Sequence, residues 1–484
     1  MSEITTLQPQ LLWKWFDQIC AIPHPSYQEN ELAEFIINWA KGKGFYAERD
    51  DVGNVLIRKP ATKGMENRQK VALQAHLDMV PQANEGSSHN FATDPIRPYI
   101  DGEWVRATDT TLGADNGIGM ASTLAILDSD DIAHPDLEVL LTMTEERGME
   151  GAIGLRPNWL QSDIMINTDT EENAEIYVGC AGGENANVTL PVEYQDNTFA
   201  HSYQIMLKGL RGGHSGCDIH TGRANAIKVL ARFLAELTQN QPHFDFLLGD
   251  IRGGSIRNAI PREAFAVITI QEEEAEAVWE LVSDYLDLFR KEFSGIEENI
   301  KFEASRIECP RMIIPEEIQD CLINAVEACV NGPQSMLQDF PGTVESSSNL
   351  ALITAKEGSI SVRFLVRSSS ESRKMWVASA IESVFSLAGA RVEFDASYNG
   401  WQPNIQSHIL DVMSKVFEEY YGQKPEVQVM HAGLECGIIQ GVMPDMDMIS
   451  VGPELQSPHS PDERIHIESV ARTWEVLVKV LERV

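Results

Sequence analysis

The sequence lacks the cysteine patterns of disulfide-rich and zinc-finger proteins and the long apolar runs of membrane proteins. Its seven cysteines are scattered over 484 residues and form no CxxC pair, which argues against a disulfide framework and against a cysteine-ligated zinc site. No apolar run approaches the roughly 18 residues of a membrane-spanning helix. The first residues, MSEITTLQPQ, lack a basic segment followed by an apolar one. We therefore expect no signal peptide, no membrane partner, and reduced thiols in the cytoplasm.

Basic residues are also scarce. Lysine and arginine total 38 against 73 aspartates and glutamates, and the formal net charge is −35. A chain this acidic repels nucleic acid and anionic surfaces, so we expect no nucleic-acid partner. The hydrophobic fraction of 43% and the charged fraction of 23% are ordinary for a soluble globular protein. The length allows two or three domains.

Apolar segments typical of strands alternate with helical patterns in the first part of the chain. Strands are predicted at 54–59, 70–80, 136–143 and 163–169, with a helix from Asn116 to about Ser129. Continuous apolar strands that alternate with helices predict an α/β fold. Its sheet is expected to be mainly parallel and covered by helices on both faces.

The sequence pattern changes after about Gly183. Two successive blocks of strand, helix and strand follow, and the turn-rich segment SYNGWQPN ends them at 397–404. Another helix, two strands and a final helix complete the chain. We therefore predict one domain built from residues 1–184 and 398–484. A two-layer α/β domain with a possible internal duplication is inserted between them at 185–397.

Histidine and acidic residues stand where the predicted strands end. His76 and Asp78 lie in AHLDMV, and residues two apart in a strand point to the same side. Asp78 could therefore orient the ring of His76 while that ring binds a metal. Asp115 lies in a glycine-rich turn before a helix, where it could equally be an N-cap. Each residue alone is an ordinary feature of an α/β protein.

Further candidate ligands stand at other strand ends and in one loop. Glu145 and Glu146 follow an apolar strand in TEERGMEG, Asp169 lies in INTDTEE, and His459 lies in SPHSPDER. Two ions about 3.5–4 Å apart need a bridging carboxylate and several terminal ligands, which this set could provide. Mixed histidine and carboxylate ligands suit Zn²⁺, with Co²⁺ or Mn²⁺ as substitutes.

Seven motifs extend from near one end of the chain to near the other. They are AHLDMV (75–80), GADNGIGMA (113–121), TEERGMEGA (144–152), NTD (167–169), GGHSG (212–216), HAGLECG (431–437) and SPHSPDERIHI (457–467). Together they resemble the M20 family of metallopeptidases, and within it the subgroup of Xaa-His and non-specific dipeptidases. The resemblance implies that the outer segments form a zinc-peptidase catalytic domain of the phosphorylase/hydrolase-like type. The insert is implied to be a lid and dimerisation domain.

The same motifs imply a set of roles around two divalent ions per chain. The implied metal ligands are His76, Asp115, Glu146, Asp169 and His459, with Asp115 as the bridge. Asp78 is implied to orient His76, and the peptide bond between Asp115 and Asn116 is implied to be cis. Glu145 is implied to be the general base, which activates a metal-bound water and then passes the proton to the leaving amine.

The resemblance also implies residues that recognise substrate. His214 matches a histidine that polarises the substrate carbonyl, and Asn258 and Arg367 match positions that bind the C-terminal carboxylate. Glu435 could bind the α-ammonium group. A homodimer is implied, in which His214 could act in its own or in the partner's site. The enlarged lid could instead mimic a partner within one chain.

The resemblance implies two-metal hydrolysis of unblocked dipeptides, including Xaa-His dipeptides such as carnosine. An aminoacylase-type deacylase on the same scaffold is one alternative, because the amide chemistry is shared. A non-catalytic, metal-dependent binding protein is another, although binding alone has no need of a general base.

Overall fold

A computed structural model describes residues 2–240, 244–272, 275–356 and 358–484. The chain divides into two compact units. Unit 1 comprises Met1–Cys180, Trp401–Val429 and Leu434–Val484, and unit 2 comprises Ala181–Gly400 and Met430–Gly433. None of the helices among the described residues combines the length and the apolar character that a membrane-spanning helix requires.

The helices follow a short 3₁₀ helix at Glu3–Thr6. They are α1 (Gln10–Cys20), α2 (Asn30–Gly42), α3 (Ala114–Asp128), α4 (Glu150–Ile153), α5 (Ala226–Asn240), α6 (Ala277–Glu292), α7 (Glu316–Ala328), α8 (Glu371–Leu387), α9 (His408–Tyr421), α10 (Glu435–Val442) and α11 (Ile467–Leu481).

The strands of unit 1 and unit 2 are numbered together along the chain. They are β1 (Tyr46–Arg49), β2 (Val55–Lys59), β3 (Val71–His76), β4 (Pro98–Asp101), β5 (Trp104–Ala107), β6 (Leu137–Thr142), β7 (Ile164–Asn167), β8 (Glu175–Cys180), β9 (Gly182–Pro191), β10 (Gln195–Asp196), β11 (His201–Lys208), β12 (Gly213–His214), β13 (Phe246–Gly253), β14 (Ala259–Ile260), β15 (Ala264–Ile270), β16 (Lys301–Ile307), β17 (Met312–Ile313), β18 (Gly332–Met336), β19 (Val344–Lys356), β20 (Ser359–Ser368), β21 (Arg391–Tyr398), β22 (Glu426–Met430), β23 (Asp447–Ser450), β24 (Leu455–Gln456) and β25 (Arg464–His466).

The main sheet of unit 1 has the order β1-β2-β6-β3-β7-β23-β8-β22. Its centre is parallel, since β3 pairs in parallel with β6 and β7, and β7 with β23. Every residue of β3 and β6 is buried, as expected for strands covered on both faces. The sheet was predicted to be mainly parallel, and its flanks are antiparallel, because β2 pairs in that sense with β1 and with β6, and β23 with β8.

The main sheet of unit 2 is antiparallel, in the order β16-β11-β15-β13-β19-β20-β9-β21, with β18 beside β19. It consists of two topologically equivalent halves. One half runs β11-α5-β13-β15-α6-β16 along the chain, and the other runs β9-α7-β19-β20-α8-β21. The first half lies between β9 and α7 in sequence, and the pairing of β13 with β19 joins the two halves into one sheet. The sequence left an internal duplication as a possibility, and the two halves share the topology that it would produce.

Candidate active site

Most of the predicted ligands of unit 1 lie at one end of the parallel strands. His76 is the last residue of β3, Glu146 follows β6 by four residues, and Asp169 follows β7 by two. Asp115 is the second residue of α3, and His459 lies in the loop between β24 and β25. The carboxyl ends of parallel strands share one edge of the sheet, which is where open α/β folds bind their ligands.

The ring of His76 is buried and contacts oxygen on both sides. Nδ1 lies 3.0 Å from the backbone oxygen of Asp78 and 3.3 Å from its Oδ1. Nε2 lies 3.1 Å from Oδ1 of Asp115 and 3.3 Å from Oδ1 of Asp169. With a proton on Nδ1 the ring donates a hydrogen bond to Asp78, and Nε2 faces the carboxylates of Asp115 and Asp169.

The two carboxylate oxygens of Asp115 face different histidines. Oδ1 faces His76, and Oδ2 lies 3.0 Å from Nε2 of His459. The same nitrogen of His459 lies 3.0 Å from Oε2 of Glu146. The donors thus form two groups, His76 with Asp169 and His459 with Glu146, which share Asp115. Its peptide bond to Asn116 is cis, as the resemblance implies.

Burial is the main cause of the raised pKa values among the carboxyl groups of this site, and the charges of neighbouring carboxylates add to it. Burial, and then the charge of Asp115, raise the pKa of Glu146 to about 7, although a hydrogen bond from His459 opposes the shift. Burial raises the pKa of Glu145 well above its usual range. Hydrogen bonds to Asp115 and Glu146 raise the pKa of His459 to about 11. Four carboxyl groups, those of Asp115, Glu145, Glu146 and Asp169, share this end of the sheet with two histidines.

This excess of oxygen donors fits divalent cations. One ligand atom each from His76, Asp115 and Glu146 lie within 4.8 Å of one another. Imidazole and carboxylate groups are the donors that Zn²⁺, Co²⁺ and Mn²⁺ share. The residues present are therefore suited to hold metal between the histidines and the carboxylates.

The two adjacent glutamates are held by their backbone and differ in their side chains. Oδ1 of Asp78 accepts the N–H of Glu145 at 2.9 Å, and Oδ2 accepts that of Glu146 at 3.2 Å. Only the second glutamate contacts His459. The preceding residue, Thr144, has a φ of 52°, an unfavourable conformation for a β-branched residue. Asp78 thus links the His76 ring to the loop that carries both glutamates.

Two buried glutamates that were not singled out from the sequence hold the backbone around these side chains. Oε1 of Glu29 accepts the N–H and the hydroxyl of Thr144 at 3.0 and 2.9 Å. Glu463 accepts backbone N–H groups from Leu112 to Asp115. Their sequence surroundings offered little signal beyond the closeness of Glu463 to His459, because both act on backbone that is distant in the chain.

Glu435, predicted to bind substrate, is fully buried at 0% exposure. Its Oε2 accepts hydrogen bonds from Gln74 and Thr142, both at 2.6 Å, while Oε1 has no hydrogen-bond partner among the residues that the structure describes. Gln74 in turn accepts from Asn167, whose Oδ1 accepts the N–H of Asp169 at 3.2 Å. Glu435 therefore lies in a polar network at the strand ends.

Three predicted substrate-binding residues lie in unit 2, where His214 and Arg367 are near each other. Arg367, on β20, is 5% exposed and directs Nε toward the hydroxyl of Ser215 at 3.4 Å. The N–H of Ser215 donates to the backbone oxygen of Asn258 at 2.8 Å. The side chain of Asn258 is exposed. Residues from both halves of unit 2 thus meet around Ser215.

His214 is held as a neutral hydrogen-bond donor. Its Nδ1 accepts the backbone N–H groups of Gly216 and Cys217 at 3.3 and 3.2 Å. Burial, and then the charge of Arg367, lower the pKa of His214 to about 4. The proton of the neutral ring therefore sits on Nε2, which can donate to an oxygen of a ligand.

Comparison with known proteins identifies similar sequences and folds. Residues 205–297 match the family model M20_dimer, described as a peptidase dimerisation domain. The chain is 48% identical over 486 residues to the cytosol non-specific dipeptidase of Escherichia coli K12, and this match covers 100% of the chain and 99% of the relative.

Solved structures show the same fold. The aminoacylhistidine dipeptidase of Vibrio alginolyticus superposes with a TM-score of 0.93 at 47% identity, covering 100% of this chain and 98% of that one. The aminopeptidase PepT of Bacillus cereus superposes with a TM-score of 0.58 at 16% identity, covering 98% of both chains. The second similarity concerns the fold alone.

Proposed function

The chain belongs to the M20 family of peptidases, and from this premise we propose that it is a two-metal dipeptidase acting on unblocked dipeptides. Its substrates would include Xaa-His dipeptides such as carnosine. One observation carries the proposal: the two oxygens of Asp115 face His76 and His459 separately. A carboxylate in that position is suited to bridge two ions. The E. coli relative, 48% identical over its length, is named a dipeptidase.

The proposed ligands are the five donors of the two groups. They are His76 and Asp169 for one ion, His459 and Glu146 for the other, and Asp115 for both. We propose Zn²⁺ as the native ion, with Co²⁺ or Mn²⁺ as substitutes, because the donors mix imidazole and carboxylate. When bound, such ions supply Lewis-acid polarisation of a carbonyl and make a water molecule more acidic.

Glu145 is the proposed general base. Its backbone is fixed by Asp78, and its carboxylate has no hydrogen bond to either histidine among the described contacts. Burial raises the pKa of Glu145, which strengthens it as a proton acceptor. Glu145 would take a proton from the attacking water and return it to the leaving nitrogen when the peptide bond breaks. Asp78 would keep both His76 and Glu145 aligned through these steps.

Unit 2 is proposed to recognise the substrate. A neutral His214 with its proton on Nε2 would donate to the carbonyl oxygen and stabilise the charge that develops there. The guanidinium of Arg367, with Asn258, would bind the C-terminal carboxylate in the paired geometry that arginine favours. Glu435 would reach the α-ammonium group of the substrate only if its Oε1 became accessible, since the residue is fully buried.

Assembly and location are proposed from the relatives. The match of residues 205–297 to a peptidase dimerisation domain supports a homodimer. We assign lid and dimerisation roles to residues 185–397 and catalysis to residues 1–184 and 398–484. A cytoplasmic location is supported by the E. coli relative, whose name places it in the cytosol.

A dipeptide panel tests the proposal. The protein is stripped with a chelator, dialysed, and assayed with Zn²⁺, Co²⁺ or Mn²⁺ on Ala-His, carnosine and N-acetyl-Ala-His. We expect no hydrolysis of Ala-His by the stripped protein, recovery with metal, and no cleavage of the acetylated peptide. Faster cleavage of the acetylated peptide would identify a deacylase. Metal binding without hydrolysis of any peptide would identify a binding protein.

A further inference from the structure

The carboxylate of Glu463 holds four consecutive backbone N–H groups. Oε2 accepts those of Leu112 and Gly113 at 2.8 and 3.1 Å, and Oε1 accepts those of Ala114 and Asp115 at 2.8 and 3.3 Å. Glu463 is 2% exposed, so water does not compete for these bonds. Its carboxylate forms no other hydrogen bond with the described residues.

These four groups belong to the start of α3, which has no side-chain cap of its own. The N-cap position is Gly113, with a φ of 70° and no side chain. The first N–H groups of a helix lack partners within the helix and attract anions. Glu463 supplies the missing acceptor from about 350 residues away in sequence.

The capped segment is also irregular at the residue that faces both histidines. Asp115 has φ −85° and ψ 106°, which interrupts α3. Its N–H is the last of the four held by Glu463, and its side chain lies between His76 and His459. The position of the backbone therefore decides where the two carboxylate oxygens of Asp115 point.

The backbone around Glu463 is continuous with the loop that carries His459. The N–H of Glu463 donates to the backbone oxygen of Ser460 at 2.9 Å, immediately after His459. The next residue, Arg464, begins β25 and pairs with Arg106 on β5. A strand thus anchors Glu463 on one side, and a turn joins it to His459 on the other.

We propose that Glu463 is a positioning residue for the metal centre, which aligns Asp115 and the loop of His459 relative to each other through the backbone of residues 112–115. This inference rests on the proposed two-metal function. It goes beyond that function because Glu463 is neither a proposed metal ligand nor a proposed substrate-binding residue, and its carboxylate acts on backbone N–H groups. Partners that orient metal ligands typically change metal affinity by about 10–100-fold when they are replaced.

A merely structural cap would lower stability and leave metal binding unchanged, so the test measures both. In Glu463→Gln one oxygen is replaced by an amide group that cannot accept the N–H bonds. Glu138→Gln is the matched control in the same unit. Glu138 is 3% exposed and accepts the backbone N–H groups of Gln161 and Ser162, but it lies at the start of β6, away from the ligand end of that strand.

Co²⁺ is titrated into the metal-free full-length proteins, and visible absorption and calorimetry report the number of ions and their affinities. Thermal unfolding of the metal-free proteins reports stability. For Glu463→Gln we expect at least one ion to bind about 10–100-fold more weakly, with an altered Co²⁺ spectrum. For Glu138→Gln we expect a lower Tm with the wild-type titration and spectrum.

Two results would overturn the inference while leaving the proposed function intact. One is a wild-type Co²⁺ titration and spectrum in Glu463→Gln, and the other is an equal loss of affinity in Glu138→Gln. If circular dichroism shows that Glu463→Gln is unfolded, Glu463→Asp replaces it. That variant keeps the charge one methylene further away, and Co²⁺ affinity equal to the wild type would again overturn the inference. A wild-type protein that binds no Co²⁺ would remove the proposed function itself.

Discussion

Replacing Glu145 and Glu146 separately by glutamine should produce two different defects. Asp78 holds the two residues through their backbone N–H groups, so neither substitution removes the contact that shapes the loop. The side chains differ, because only Glu146 contacts His459, at 3.0 Å. A general base contributes about 10²–10⁴-fold to a rate. We therefore expect Glu145→Gln to lower kcat by that factor and to keep wild-type metal content.

Glu146→Gln should already be defective in metal binding. It replaces a charged donor of the His459 group by a neutral amide, so we expect the loss of roughly one ion per chain after dialysis and a parallel loss of activity. Metal content by atomic emission and kcat on Ala-His, measured on the same samples, separate the two defects. Equal metal loss in both variants would refute the division of roles. So would a kcat for Glu145→Gln within about threefold of the wild type, since it falls far short of the contribution of a general base.

Three further outcomes follow from contacts and pKa shifts. Arg367→Ala should raise KM for dipeptides by about 10–100-fold, because it removes a hydrogen bond to a charged group, and it should leave the metal content unchanged. A wild-type KM would show that Arg367 does not bind the C-terminal carboxylate of the substrate. The pKa of His459 is raised to about 11 in the metal-free protein, so a bound metal ion must displace the proton of this histidine. The affinity for Zn²⁺ should therefore increase from pH 6 to pH 8, and calorimetry in two buffers should detect proton release. An affinity that does not depend on pH would contradict this. Burial raises the pKa of Glu435 from 4.5 to about 8, so between these pH values the folded chain keeps a proton that the unfolded chain releases, and stability falls as the pH rises. Glu435→Gln should therefore reduce the fall in Tm of the metal-free protein from pH 5 to pH 8. A variant whose Tm falls with pH as steeply as that of the wild type would argue against a neutral Glu435.

The parts of the fold that were predicted well are those whose local pattern matches their environment. Strands β3 and β6 are continuous apolar runs because both of their faces are buried. The strands that join the two halves of unit 2 were not predicted. β13 contains glycines, an aspartate and an arginine, and β19 begins with the polar run VESSSN. Such strands form because neighbours from distant parts of the chain complete their hydrogen bonds, which a local pattern does not reveal.

The candidate site divides in the same way. Motifs predicted which side chains to consider as metal donors, since the chemistry of histidine and carboxylate groups is a property of residue type. They did not predict that Asp115 lies inside α3 rather than capping it, or that Arg367 is buried. Both facts depend on what the surrounding elements place next to the residue.

The sequence by itself determined the type of each donor and its order along the chain. Tertiary structure alone decided how the donors are grouped. It directs the two oxygens of Asp115 at different histidines and brings His459 to Glu146 but not to Glu145. It also gives Glu29 and Glu463 their contacts, because backbone groups far apart in the chain become hydrogen-bond partners only after folding.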